Sequence, residues 1–385
     1  MIPRFRQLLS AHTDDSVDRL SHLITVNFLI IFAVTLTTKQ MYDKPIHCWQ
    51  PAEWKLSGWR GYADNYCWVS NTYVVDFDVK FPEEVVERRK TNLAYYQWVP
   101  VILMFQALLF VLPHVVWKLL HSHVGLNLDK IMNMAELTQA LNPVQRQETI
   151  ELMADIFNHW IRQRQNGKYL AMFYTAVKIW YLANVVGQFI LLNTFLGMDY
   201  TAYGFEVLKS LTENKPWKES QRFPYVTFCD LEIRQLSNVQ RYTIQCVLPI
   251  NLYNEKIFAF MWFWMFLVFV STLIQLIRWS LVVVLHRYRY RFVLKFLDMT
   301  GLTITDFDES LFNSFVNNYL REDGFLVLRA ISHNVTDMAT MDLVVQLWRT
   351  YQESDRESIN SDRKRLNEVP SYEETSPLVQ YVSTV

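Results

Sequence analysis

YYQWVPVILMFQALLFVLPHVVW, residues 95–117, decides the class of this chain. Two tyrosines, a glutamine and a tryptophan lead into a stretch with no charged residue between Lys90 and Lys118. About 20 apolar residues in a helix cross roughly 30 Å of hydrocarbon, and a soluble helix of that length carries a charged face. Three more charge-free windows recur, between Arg19 and Lys39, Lys178 and Asp199, and Lys256 and Arg278. The chain therefore reads as a four-span membrane protein. Tyr95, Tyr96 and Trp98 are expected in the layer where headgroups meet hydrocarbon, which amphipathic rings favour. Pro100 takes the first helical turn, where its missing N–H costs nothing, and Pro113 kinks the same helix from inside.

Composition agrees. The 385 residues are 51% hydrophobic and 15% aromatic, while the formal net charge of −1 offers no field for nucleic acid. No phosphate-cradling glycine loop, nucleophile elbow or H-E-x-x-H pair occurs, and no acid, base and nucleophile converge. An enzyme, a cofactor and a metal site are not expected.

Arg278, Arg287, Arg289, Arg291 and Lys295 cluster around and after the end of the fourth span, and only Lys256 closely precedes it. The positive-inside bias puts the C-terminus in the cytoplasm, and an even number of spans puts the N-terminus there too. The cysteines agree: Cys48 and Cys67 fall between spans one and two, Cys229 and Cys246 between spans three and four, and none elsewhere. Thiols confined to one face read as disulfides in an oxidising exterior, with three connectivities open. The polar N-terminal 20 residues carry no cleavable signal, so the first span is its own insertion signal.

The layout is a cytoplasmic N-terminal segment at 1–20, spans at 21–38, 99–117, 177–198 and 257–285, and extracellular loops at 39–98 and 199–256. A helical cytoplasmic loop covers 118–176, a helical cytoplasmic C-terminal domain 286–350 and a disordered tail 351–385. Alternation in DFDVKF (76–81) and RYTIQCVL (241–248) predicts strands of a small outer sheet stapled by the cystines. PAEWKLSGWRGYADNY (51–66) predicts a short helix with Trp54, Trp59 and Arg60 as a candidate pore rim. The fold class is thus an all-α polytopic membrane protein with four transmembrane helices, a small disulfide-stapled extracellular α/β domain and a helical cytoplasmic domain.

Lys178, at the border of span three, is expected to snorkel to the interface. Tyr181, Asn184 and Gln188 follow as a polar stripe that ties helices together. His121 and His123 are two apart and point to different faces, which disfavours a metal there. Asn334 holds the sole glycosylation sequon, on the cytoplasmic side. The outer-loop asparagines lack one, so no glycan is expected there. Ser383, Thr384 and Val385 end the chain as a candidate PDZ ligand, which makes a PDZ scaffold a candidate partner.

With spans and loops placed, the residues resemble the innexin family of invertebrate gap-junction subunits. Tyr95, Tyr96, Gln97, Trp98, Val99 and Pro100, then Gln106, Ala107 and Pro113, are similar to its signature. PIHCW (45–49), NYCWV (65–69), QCVLPINLYNEKIFAFMWFW (245–264), DDSVDRL (14–20) and YLAMFYTAVKIWYLANVVGQ (169–188) also match. The resemblance implies a large-pore channel subunit, homo- or hetero-oligomeric with other innexins in an octameric ring among membrane lipids. Such a hemichannel docks at a gap junction of the plasma membrane with that of the adjacent cell and passes ions and small molecules passively. The alternative is an undocked pannexin-like release channel. The resemblance also implies the pairings Cys48–Cys246 and Cys67–Cys229.

Overall fold

The computed structural model describes residues 14–50, 59–75, 78, 80–82, 84–88, 91–123, 127–163, 167–213, 222–301 and 309–367. Trp54 and the candidate PDZ ligand Ser383, Thr384 and Val385 lie outside them, as do the side chains of Trp59 and Arg60. The chain divides into two units, residues 1–127 with 169–285, and residues 128–168 with 286–385.

In the first unit, four helices are long and apolar enough to cross a membrane: Ser16–Tyr42, Val99–Leu120, Tyr169–Leu196 and Pro249–Val284. Each approximates its charge-free window, but the first, third and fourth begin 5 to 8 residues earlier than expected. The reason is that intrahelical hydrogen bonding does not stop at a charged residue, and flanking polar turns gain by continuing it. The first span packs on the second and fourth, and the third on the second and fourth. Leu29, Ala33, Leu36, Leu103, Phe110, Val185, Phe258, Met265 and Val268 fill the contact between them. Ile31, Val34, Leu108 and Ile190 face outward. Hydroxyls of Thr35, Thr37 and Thr38 donate to the carbonyls of Ile31, Ala33 and Val34, so the polar groups are consumed within the helix.

The loops between spans one and two and between spans three and four build one five-stranded antiparallel sheet. Its strands are β1 (His47–Cys48), β2 (Thr72–Tyr73), β3 (Asn92–Leu93), β4 (Val226–Gln235) and β5 (Asn238–Val247), in the order β1-β5-β4-β2-β3. β4 and β5 form a hairpin from Val226↔Val247 to Gln235↔Asn238, and Leu236 at the turn has φ 53°. Cys229, Leu231, Ile244 and Cys246 supply its buried face. The alternation of residues 241–248 thus marks β5.

Residues 76–81 do not form a strand among the described residues: Asp78 sits in a turn, and Lys80 and Phe81 lie outside any element. β2 precedes them instead. Phe81 meets its burial requirement by ring packing, 5.5 Å from Phe228 and under the Arg88 guanidinium at 4.7 Å. Residues 51–58 of the expected outer helix lie outside the described residues, and the described helix Trp59–Ser70 runs past Cys67.

The second unit is helical, with Leu128–Leu137, Pro143–Gln163, His286–Asp298, Glu309–Ser314, a π-turn Phe315–Leu320, Arg321–Asn334 and Asp337–Asn367. Phe157, Phe296, Phe312, Phe315, Leu328 and Trp348 are buried in its core. Arg289 pairs with Glu322 and Lys295 with Asp337, each at 2.9 Å. The last helix continues to Asn367, well into the region expected to be a disordered tail from 351. Extending a helix that is already packed adds one hydrogen bond per residue fixed, and the Glu, Arg and Lys of this stretch are good helix formers.

Candidate functional site

Two constructions stand out in the first unit: the platform made by the loops, and a buried polar cluster at the start of the first span.

On the platform, Cys48 is bonded to Cys246 and Cys67 to Cys229, so each bridge ties the first loop to the second. Cys48 and Cys246 are also register partners of β1 and β5, and Cys67 lies on the helix Trp59–Ser70. Asp230 on β4 gathers three donors: Tyr73 Oη at 2.9 Å, Thr243 Oγ1 at 2.7 Å and Arg88 Nη1 at 3.2 Å. Burial and this hydrogen bond to Asp230 push the Tyr73 hydroxyl well above its ordinary pKa. Residues from both loops are therefore locked to one strand.

The stretch 95–100 proves to be the hinge between platform and bundle. Tyr95 and Tyr96 are not interfacial rings; both are buried, and of the three aromatics only Trp98 is exposed. Tyr95 meets Phe223 edge-on at 5.9 Å, and Tyr96 packs on Trp68 at 4.9 Å. Gln97 Nε2 donates to the Trp68 carbonyl and, at 3.1 Å, to Asn71 Oδ1, while Gln40 Nε2 donates to the Tyr96 carbonyl at 3.0 Å. The first-loop helix, the end of span one and the start of span two are all clasped here. An aromatic belt and a buried aromatic hub look alike in sequence, because both put amphipathic rings at the end of an apolar helix.

A second clasp joins the helix Tyr200–Thr212 to span four. Tyr200 Oη donates to the Phe258 carbonyl at 2.7 Å, and Trp262 Nε1 donates to the Thr201 carbonyl at 3.1 Å. Gly204 permits that approach, since a Cβ there would lie 2.0 Å from the Trp262 ring.

The polar cluster was largely hidden from sequence reading. Lys178 does not snorkel: it is 1% exposed, with Nζ 2.5 Å from Asp18 Oδ2 and 3.3 Å from Asp15 Oδ2. Asp15 Oδ2 also accepts from Tyr174 Oη and Gln275 Nε2, both at 2.7 Å. Spans three and four thus grip the residues that open span one. The polar stripe on span three is partly internal, for Tyr181 and Gln188 are buried and Gln188 Nε2 donates to Asn184 Oδ1 at 3.3 Å. Beside it, Asp14, His22 and His114 are all buried. The acidic run DDSVD was visible in sequence, but Lys178 sits 160 residues from Asp18.

A long apolar bundle, a sheet shared by two loops and two loop-crossing cystines suit a channel subunit of the gap-junction type. The family profile described as Innexin matches residues 14–351. The chain belongs to the innexin family. It is 37% identical over 358 residues to Innexin unc-9 of Caenorhabditis elegans, covering 88% of this chain and 92% of that relative. It is 34% identical over 356 residues to Innexin-3 of C. elegans, covering 89% and 84%. Innexin-19 of Caenorhabditis briggsae is 34% identical over 381 residues, covering 88% and 87%. Family membership and the four apolar helices make this innexin a membrane protein of gap-junction channels, a role that requires no catalysis.

Proposed function

We propose that this innexin assembles into a ring, an octamer, whose half-channel docks with that of a neighbouring cell and lets ions and small molecules pass by diffusion. Both termini lie in the cytoplasm in this reading, and the sheet platform faces the gap between cells. The observation that carries it is the β4–β5 hairpin. It rises from strands cross-linked to the first loop and ends on Leu236, which is 99% exposed. With Val239, 51% exposed, it puts two apolar side chains at the end of this hairpin, where a facing subunit would cover them. No outer-loop asparagine in the sequence has a glycosylation sequon, so the rim carries no bulky sugar.

Gln240→Thr creates a sequon at Asn238, on the exposed side of this hairpin. The glycosylated variant is expected to reach the surface and pass half-channel current in single cells while losing current between paired cells. Wild-type coupling between pairs, repeated with sequons at other hairpin positions, would remove this hairpin from the docking surface, whereas half-channel current in single cells with no coupling between wild-type pairs would overturn docking and favour a half-channel that releases small molecules to the exterior.

A further inference from the structure

We propose that Asp14, His22 and His114 form a binding site for a divalent transition-metal ion of the zinc class, joining the start of span one to span two. His22 Nε2 lies 3.4 Å from Asp14 Oδ2, and His114 Nδ1 lies 2.9 Å from the same oxygen. The three donor atoms all fall within 4.8 Å of one another, and none of the three residues is more than 3% exposed.

The tautomer of His22 carries the argument. Its Nδ1 lies 2.6 Å from the Asp18 carbonyl oxygen. A carbonyl only accepts, so Nδ1 holds the ring proton and donates it. In the neutral ring, Nε2 then presents a lone pair, and what it faces at 3.4 Å is a carboxylate oxygen, another acceptor. His22 Nε2 makes no hydrogen bond, and both atoms are buried, with Asp14 Oδ2 also 2.9 Å from His114 Nδ1. Two lone pairs facing each other out of water repel unless a cation lies between them. His114 brings a third nitrogen to the same point. Two imidazoles with one carboxylate suit zinc and neighbouring first-row ions, whereas calcium takes oxygen donors. The Nδ1–H to carbonyl bond is also the kind of contact that typically fixes the tautomer and orientation of a metal-binding histidine.

Local structure explains how His22 arrives there. Leu20–Ile24 is a π-turn, whose extra residue rotates His22 relative to a regular helix. His114 follows Pro113 in the second span. The two rings are stacked, with centroids 4.0 Å apart and planes within 5°. Loading an ion at about 2.0–2.1 Å from each nitrogen requires the rings to open from this parallel stack so that their lone pairs converge. Among the described residues, the other three-residue group of potential metal ligands, Cys48, Cys67 and Cys246, is consumed in disulfides.

The test uses the full-length channel in detergent micelles, stripped with a chelator and titrated with Zn2+ or Co2+, with intact rings isolated by size exclusion before every measurement. Wild type should bind one ion per subunit, give the visible absorption of low-coordinate Co2+, and resist competition by excess Ca2+. His22→Gln and Asp14→Asn should each weaken binding by roughly tenfold or more, since even outer-shell partners are worth about 10–100-fold. The native chain has no free cysteine, so His114→Cys, which keeps a ligand, should add a thiolate-to-cobalt band in the near ultraviolet. Absence of the wild-type Co2+ spectrum, or of that band in His114→Cys rings, overturns the site and leaves a proton as the bridging cation. Wild-type affinity in His22→Gln rings likewise overturns it.

Discussion

Lys178 Nζ stands 2.5 Å from Asp18 Oδ2, with the two side chains 1% and 6% exposed. Attraction between buried charges offsets their desolvation only while both are present, and removing one strands the other. Lys178→Met should therefore destabilise the subunit by about 3–5 kcal/mol. The double variant Lys178→Met with Asp18→Asn should recover much of that loss. Thermal unfolding of purified rings is the measurement, and equal stability of the single and double variants would contradict the pairing.

Gly204 is pressed against Trp262, where a Cβ would sit 2.0 Å from the ring. Gly204→Ala should cost about 1–3 kcal/mol, as overpacking typically does. Adding Trp262→Leu to it should relieve part of the clash, although Trp262→Leu alone destabilises. A double-mutant cycle on unfolding midpoints reads the coupling, and additive effects would deny the contact.

The cystines make a chemical prediction. Peptide mapping without reductant should recover Cys48 with Cys246 and Cys67 with Cys229. Losing either bridge should cost about 2–5 kcal/mol, because each closes a long loop between segments that are otherwise free to separate in the unfolded chain. Recovery of Cys48 joined to Cys67 would be incompatible with the sheet order.

Burial pushes the Tyr319 hydroxyl up from 10.0 to about 12, against the opposing pull of Arg162. Folding therefore favours the neutral phenol. Its contribution is fully present below pH 10 and is lost as pH rises toward about 12. The hydroxyl makes no hydrogen bond among the described residues. Tyr319→Phe should thus leave stability at neutral pH unchanged or slightly raised and move alkaline unfolding of the full chain to higher pH. Identical alkaline midpoints for the two proteins would exclude a contribution from this group.

The strand expected over residues 76–81 is not formed at Asp78, Lys80 or Phe81, the described residues of that stretch, because alternation records only that every second residue wants burial. Phe81 found that burial against Phe228 without joining the ladder. The helix to Asn367 was missed for the converse reason: its polar composition looks solvent-borne, and its start is held by packing of Leu343, Leu347 and Trp348 that composition does not report.

What the sequence determined by itself was whatever depends on neighbours along the chain. Four charge-free runs are each long enough to cross hydrocarbon, so the spans were legible, as were β5 and the helices of the second unit. Cysteines confined to two loops indicated cystines, though resemblance to a family was needed to pair them. Tertiary structure decided the rest. Tyr95 and Tyr96 became a buried hub because Trp68 and Phe223 arrive from other loops. Lys178 turned inward because Asp15 and Asp18 meet it there, and His22 met His114 across 92 residues of chain. A charge or an imidazole costs too much to bury alone, so its placement depends on partners that only the folded bundle brings within reach.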